Sequence, residues 1–190
     1  MHNIYFTKAA PQHLKTLLQW LEEPHMKEFW DNSAEHREDI IIFTEGRLRP
    51  SPYFQGLFSY WVGFINNEPY SLIMTHEENE NTNPPVYMRP YLSSAGKTIG
   101  LDFCIGNPKY LGKGLAAPTL KSFMSYFQKE IDSIVDTFFI DPFLDNPRAC
   151  HVYKQAGFKV QCEFTQDRGF FKNKKGVLMT KTLKNKTAIE

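Results

Sequence analysis

The chain has 190 residues, 42% of them apolar and 15% aromatic, the size of a single domain with one ample core. A formal net charge of +1 provides no global attraction for nucleic acid or anionic lipid, no stretch approaches the ~20 apolar residues of a membrane span, and Met1–Lys8 has neither a signal nor a transit pattern, so a cytoplasmic protein is expected. Cys104, Cys150 and Cys162 are odd in number and form no C-x-x-C pair, and the six histidines include no H-x-x-x-H, so neither a disulfide nor a metal is expected.

In chain order, Asn3 to Thr7 alternates like a first strand, and Pro11 opens a helix with Leu14, Leu17, Leu18 and Leu21 at core spacing. That helix stops at Pro24, and Pro24 to Asp31 is a crowded mixture of aromatic and charged groups. A second helix is expected from Ser33 to Glu45, where Glu35, Arg37, Glu38 and Asp39 mark it as solvated. Gly46 to Gly56, with Pro50 and Pro52, reads as loop. Ser59–Ile65 and Pro69–His76 read as a hairpin about Asn66-Asn67, a pair that tolerates positive φ, with a firm register. Glu77 to Pro85 is the most polar segment: its three glutamates are either solvated surface or a reception for a cationic substrate. Tyr87, Met88, Tyr91 and Leu92 follow as a sticky patch.

Thr98–Ile105 is apolar enough for a buried strand, and Pro118 to Ile131 carries a helical stripe of Leu120, Phe123, Met124 and Phe127. Between them lies Tyr110-Leu-Gly-Lys-Gly-Leu-Ala-Ala117. Two glycines let backbone N–H groups approach a ligand, and a helix start adds orphan donors and a positive dipole end, so a phosphate or pyrophosphate is the natural guest. Gly112 to Ala117 formally satisfies a dinucleotide fingerprint, but most of the chain precedes it. A nucleotide P-loop is excluded, since Gly114 follows Lys113 where Ser or Thr is needed. An acyl-CoA pyrophosphate loop and a glycine-rich turn without a ligand both remain.

Ile134 to Ile140 is a β-branched and aromatic run, a central strand ending at Asp141-Pro142. Asn146-Pro147 starts a helix as cap and first residue, and Gly157 ends it. Phe158–Thr165 and Val177–Leu183 close the order, and 184–190 reads as a frayed tail. The sum is a single mixed α/β domain over residues 1–183, with a mostly antiparallel sheet of about seven strands flanked by about four helices.

Leu111-Gly-Lys-Gly-Leu-Ala116 resembles motif A of the GNAT superfamily of acetyl-CoA-dependent N-acetyltransferases, Gln/Arg-x-x-Gly-x-Gly/Ala, with Leu111 in the polar position. Asn146, Ala149, Tyr153, Gly157 and Phe158 match the motif B ending, Asn-x-x-Ala-x-x-x-Tyr-x-x-x-Gly-Phe, in the right order. Within the superfamily the chain looks most like the aminoglycoside 6'-N-acetyltransferases, with siderophore N-acetyltransferases as cousins. The likeness is carried by the Gly100-Leu-Asp102 strand, the Leu-Gly-Lys-Gly-Leu loop, Asp141-Pro142, Leu14 to Leu21 and Glu28-Phe-Trp30. Asp102 follows the aminoglycoside group, whereas Ile105-Gly106 follows the siderophore group.

The resemblance implies acetyl-CoA as cosubstrate, held by Cys104, Ile105, Gly106, Leu111, Gly112, Lys113, Gly114, Leu115 and Ala116 and by Asn146, Ala149 and Tyr153 of motif B. Backbone N–H groups near Cys104 to Gly106 would polarise the acetyl carbonyl, and Tyr153 would give a proton to the departing thiolate. The acceptor is expected to be a small cationic amine that attacks directly, since no cysteine or serine sits in a recognisable nucleophile setting. A carboxylate beside an ammonium can bind it and take its proton, which nominates Asp102, a charge inside an apolar strand, and Asp141. Trp30 and His76 complete the expected substrate set, His76 standing where the aminoglycoside enzymes place a tyrosine. Siderophore or peptide N-acetylation and a non-enzymatic acyl-CoA sensor are the alternatives; no nucleic acid or membrane partner is expected, and the protein would be a monomer or homodimer.

Overall fold

The computed structural model describes residues 3–167 and 169–184, so most of the expected tail, 185–190, lies outside the described residues. Seven strands form one sheet in the order β1-β2-β3-β4-β5-β7-β6. They are β1 (Ile4–Lys8), β2 (Ser59–Ile65), β3 (Glu68–Glu78), β4 (Lys97–Ile105), β5 (Val135–Ile140), β6 (Lys159–Thr165) and β7 (Lys175–Thr182). The five α-helices are α1 (Leu14–Trp20), α2 (Pro24–Phe29), α3 (Ala34–Thr44), α4 (Ala116–Tyr126) and α5 (Pro147–Ala156). β4 and β5 run parallel and are joined through α4, whereas β1–β2, β2–β3, β5–β7 and β6–β7 are antiparallel. The described residues fall into two compact units: one holds the chain up to Thr75 with Phe103–Thr119, the other His76–Asp102 with the chain from Leu120 onward.

In the first unit the hairpin turns at Asn66 and Asn67 with φ of 50° and 67°, the pair of left-handed residues a two-residue hairpin needs. Its register is broken by a bulge between Gly63 and Phe64, so it is less uniform than alternation suggests. The core here is Leu17, Trp20 and Leu21 of the first helical segment with Met26, Trp30, Ile40, Tyr60, Val62 and Leu72.

Two expectations fail in this unit. Pro24 was expected only to stop a helix, with no helix assigned to Pro24–Asp31, but it also starts α2: Glu23 is extended at φ −66°, ψ 139°, and Pro24 takes the first helical position, where its missing N–H costs no intrahelical bond. The count of α-helices among the described residues is therefore five, against about four expected. The second is the solvated character of α3, whose His36, Asp39, Ile40, Ile42 and Thr44 are buried. Asp39 is 0% exposed because Arg47 Nη1 lies 2.8 Å from its Oδ1 and the Tyr60 hydroxyl donates to its Oδ2 at 2.6 Å. A buried charge is tolerated when so paired.

In the second unit β5 is buried along its whole length, and α4 covers the sheet with Leu120, Phe123 and Met124, all at most 1% exposed. The expected helix to Ile131 is α-helical only to Tyr126 and then widens to a π-turn over Phe127–Ile131. Of the patch Tyr87, Met88, Tyr91 and Leu92, Met88 is buried with Phe139 and Leu178, and the other three are half-buried against that cluster. The polar loop is shorter than expected, since Glu77 and Glu78 belong to β3. The loop proper begins at Asn79, whose side chain accepts from the N–H groups of Asn81 and Thr82.

Candidate active site

The glycine loop and its supports lie in the first unit. Where β4 ends, His25 Nε2 donates to the Ile105 carbonyl at 2.9 Å, and a Cβ added at Gly106 would fall 2.7 Å from Cγ of Trp20. Gly106 is thus a packing glycine: the Trp20 ring occupies the volume a side chain would need. Asn107 then caps a short 3-10 turn at Pro108–Tyr110 by accepting from the Lys109 N–H at 3.0 Å. Tyr110 hydroxyl donates to Glu68 and Lys109 pairs with the same carboxylate at 2.6 Å, which ties the turn to β3.

Gly112 and Gly114 follow with φ of 70° and 68°, and no atom lies within 4 Å of where a side chain on either would begin. Both glycines are there for conformation, and the backbone they expose is open to a ligand. Leu115 and Ile105 are buried with Tyr70 and Ile65, so what Leu115 can offer a ligand is its main chain. The start of α4 is fixed from below. Thr119 Oγ1 donates to the Leu115 carbonyl at 2.7 Å, which uses its proton, so the Tyr70 hydroxyl donates to Thr119 Oγ1 at 2.6 Å. Ala116 and Ala117 hold first-turn N–H groups that helix geometry leaves without an intrahelical acceptor. Together with the dipole end, these suit an anionic oxygen. Leu111 is 38% exposed, and Lys113 Nζ lies 5.7 Å from the Tyr110 ring.

Trp30 is 7% exposed and caps the end of α2 through its N–H to Met26. Its ring lies 6.1 Å from His36, which stacks on Tyr53 at 4.6 Å. Burial holds the His36 imidazole below its usual range. Its Nδ1 lies 2.6 Å from the Asp31 carbonyl and must therefore carry the proton.

The second unit holds His76, Asp102 and Asp141. The β4–β5 pairing ends at Gly100 and Phe139; two residues on lie Asp102, still in β4, and Asp141, just past the end of β5. A Cβ on Gly100 would lie 2.7 Å from His76 Nε2, which puts the imidazole over β4. Two residues beyond His76 is Glu78, one of the glutamates expected in the polar loop either as solvated surface or as a reception for a cationic substrate. It is 9% exposed, and its Oε1 accepts from His76 Nε2 at 2.8 Å. Asp141 is pushed well above the usual carboxylate range, first by burial and then by the charges of Asp102 and Glu78. Chemically, these are carboxylates that draw a cation, one of them with unusual affinity for a proton.

Also in this unit, α5 is cut to length by its own sequence. Asn146 Oδ1 accepts the Ala149 N–H at 3.0 Å, as an N-cap should. At the other end the Phe158 N–H reaches the Tyr153 carbonyl at 3.0 Å and the Gly157 N–H reaches that of Lys154, with Gly157 at φ 96°. This is the Schellman closure, and it explains the spacing Tyr-x-x-x-Gly-Phe as a helix end. Tyr153 is 8% exposed, on the inward face with Ala156. Among the described residues no cluster of His, Cys, Asp and Glu is arranged to hold a metal ion, and no helix is long and apolar enough to cross a membrane.

Comparison with solved structures supports the fold. The aminoglycoside N(6')acetyltransferase from Legionella pneumophila is similar with a TM-score of 0.71 at 21% identity, over 95% of this chain and 92% of that one. The aminoglycoside acetyltransferase AAC(6')-Ib in complex with coenzyme A and kanamycin gives 0.69 at 22% identity over 95% of each. A chimera of the spermidine N-acetyltransferase SpeG from Vibrio cholerae and hSSAT gives 0.66 at 14%, over 94% and 95%. The family model described as an acetyltransferase (GNAT) domain matches residues 9–166. With both motifs in place on the expected elements and that match spanning most of its length, the chain belongs to the GNAT family and is an acetyl-CoA-dependent N-acetyltransferase.

Proposed function

We propose that the protein acetylates a primary amine of a small cationic molecule, with the 6'-amino group of an aminoglycoside as the acceptor. The observation that carries this reading is the carboxylate pair of the second unit, Asp102 in β4 and Asp141 just past the end of β5, the parallel neighbour of β4, where burial and then the Asp102 charge raise the proton affinity of Asp141. An incoming ammonium is attracted by the pair and gives up one proton to it, which frees the nitrogen lone pair. The amine then attacks the acetyl carbonyl carbon, a C–N bond forms and the carbonyl electrons move onto oxygen, where N–H groups of Cys104 to Gly106 stabilise them. As the intermediate collapses the C–S bond breaks, the electron pair leaves on sulfur, and Tyr153 supplies the thiol proton. The nitrogen loses its second proton, Tyr153 is reprotonated, and one proton in total is released to water.

In this scheme the N–H groups of Gly112, Lys113, Gly114, Leu115 and Ala116 receive the CoA pyrophosphate, and Leu111, Asn146 and Ala149 are further residues assigned to the cofactor. Trp30 and His76 are assigned to the acceptor. That the fold neighbours include aminoglycoside acetyltransferases, one of them in complex with coenzyme A and kanamycin, supports the choice of acceptor. Release of CoA thiol tests it, with kanamycin, tobramycin, spermidine, hydroxylysine and a basic peptide as acceptors. Turnover confined to the aminoglycosides is expected, and turnover confined to hydroxylysine would move the protein to the siderophore group.

A further inference from the structure

His25 belongs to no expected site, yet it reaches from α2 to the end of β4, where its Nε2 lies 2.9 Å from the Ile105 carbonyl oxygen. A carbonyl only accepts, so Nε2 carries the proton. Ile105 is the last residue of β4, and this bond fixes more than one atom. The peptide joining Ile105 to Gly106 is trans and planar, so its C=O and N–H point in opposite directions. With the carbonyl turned to His25, the Gly106 N–H is turned away from α2. A carbonyl engaged in this way also polarises its own peptide, which strengthens the N–H as a donor.

Both sides of this arrangement are anchored. Pro24 opens α2 after an extended Glu23, and Met26, next to His25, is 1% exposed in the core with Leu17, Trp20 and Leu21, so the imidazole stands on a helix with little freedom to shift. Beyond Gly106 the Asn107 N–H donates to the Tyr70 carbonyl at 3.1 Å, and the Asn107 side-chain amide reaches the Pro69 carbonyl at 3.3 Å. The Trp20 ring fills the volume in which a side chain on Gly106 would lie. Gly106 is thus held through the peptides before and after it and at its Cα, and what it can offer a ligand is its N–H.

We propose that His25 is a positioning residue for acetyl transfer: its hydrogen bond to the Ile105 carbonyl aims the Gly106 N–H at the acetyl oxygen of acetyl-CoA. This rests on the reading above that N–H groups of Cys104 to Gly106 stabilise the charge developing on that oxygen, and it goes further by naming the donor and the side chain that orients it. Such a donor is effective because it is aimed before the reaction begins and needs no reorganisation as charge develops. His25 touches neither acetyl-CoA nor acceptor in this role.

The experiment compares wild type, His25→Leu and His25→Gln. Leucine fills the space without a donor, whereas glutamine places an amide nitrogen near the position of Nε2. The first measurement needs no acceptor: it is the infrared stretch of the thioester carbonyl in bound acetyl-CoA labelled with ¹³C at that carbon, which falls in frequency as donors polarise the bond. The second is kcat with the best amine acceptor, alongside the Kd of acetyl-CoA. Wild type should lower the stretch relative to acetyl-CoA free in water. His25→Leu should lose most of that shift and reduce kcat by about 10-fold, short of the roughly 10²- to 10³-fold that follows outright removal of an oxyanion donor, with the Kd of acetyl-CoA near the wild-type value. His25→Gln should restore the shift and kcat together.

A wild-type stretch preserved in His25→Leu overturns the proposal, and so does weaker acetyl-CoA binding with the stretch unmoved, which would make His25 a support of the cofactor loop only. His25→Gln matching His25→Leu in both measurements overturns it as well. Should His25→Leu fold poorly, the Gly106 amide of wild type decides: its proton resonance should move downfield with acetyl-CoA and not with CoA, and an equal response to the two overturns the proposal. Wild type that binds acetyl-CoA without lowering the stretch would remove the N–H assignment itself, and this proposal with it, before any variant is compared. Wild type that lowers the stretch but acetylates no amine would fail the acceptor reading alone, and the stretches of the two variants still decide the role of His25.

Discussion

Gly106→Ala is expected to damage the protein through packing, although its place beside the cofactor loop suggests a binding role. A Cβ at this position would lie 2.7 Å from Trp20 Cγ, with two further ring atoms closer still. Carbon atoms pack best at about 3.5–4.0 Å, so the indole would have to retreat by roughly 1 Å. It has nowhere easy to go: Trp20 is 5% exposed and packed in the cluster of Leu17, Leu21, Met26 and Tyr60. Overpacking of this kind costs about 1–3 kcal/mol. For a chain of this size each kcal/mol shifts Tm by about 2–4 °C, so a fall of about 2–12 °C is expected, with a lower urea midpoint and an unchanged m-value. Gly112→Ala is the matched contrast. Nothing stands within 4 Å of its Cβ, but its φ of 70° costs a side chain about 1–2 kcal/mol. Relaxation of that exposed loop should appear chiefly as weaker acetyl-CoA binding by calorimetry. A Gly106→Ala protein with wild-type Tm and urea midpoint would refute the packing argument.

Further expectations concern charge. Arg47→Met leaves Asp39, 0% exposed, without its cation, and breaking a buried pair from one side costs about 3–5 kcal/mol, readable as a lower urea midpoint at pH 7.5. Because burial lowers the His36 proton affinity in the fold, its contribution to stability is complete above the ordinary histidine value of about 6.5 and is lost as pH falls from there through the depressed folded value. Urea melts between pH 7.5 and pH 5 should show that slope, flattened in His36→Gln. Asp141 has the opposite sign: its folded affinity is raised, so stability is lost as pH rises from the ordinary value of about 3.9 through the raised one. Asp141→Asn should therefore raise Tm at pH 7.5 while reducing turnover, and an unchanged or lower Tm would count against the strain assigned to this carboxylate.

The features that were legible in the sequence depend on local chemistry. Asn66-Asn67 fixes a hairpin turn, Asn146-Pro147 and Gly157 bound a helix, and the stripe Leu120, Phe123, Met124, Phe127 faces inward, because caps, turns and periodicity act within a few residues. The misses depend on partners distant in sequence. Asp39 looked solvated because its partners Tyr60 and Arg47 lie on other elements. Pro24 was taken as an end because a proline bounds helices on both sides, and only the extended backbone of Glu23 shows which. Glu78 was hidden in an acidic run, yet the alternation His76-x-Glu78 continuing a strand was the available signal. Asp102 was legible as a charge in an apolar strand, but that its charge acts on Asp141 depends on the pairing of two strands distant in sequence. Gly106 was assigned to the cofactor by resemblance, whereas its lack of a side chain answers to Trp20.

The most direct test of the account is CoA thiol release from acetyl-CoA with kanamycin or tobramycin as acceptor, in wild type, Asp102→Asn and Tyr153→Phe. The account predicts robust wild-type turnover, a fall of about 10²- to 10⁴-fold in each variant, the range for loss of a general acid or base, and acetyl-CoA binding retained in both. Variants as active as wild type would contradict the assigned roles, and wild type that binds acetyl-CoA but acetylates neither acceptor would contradict the assigned substrate.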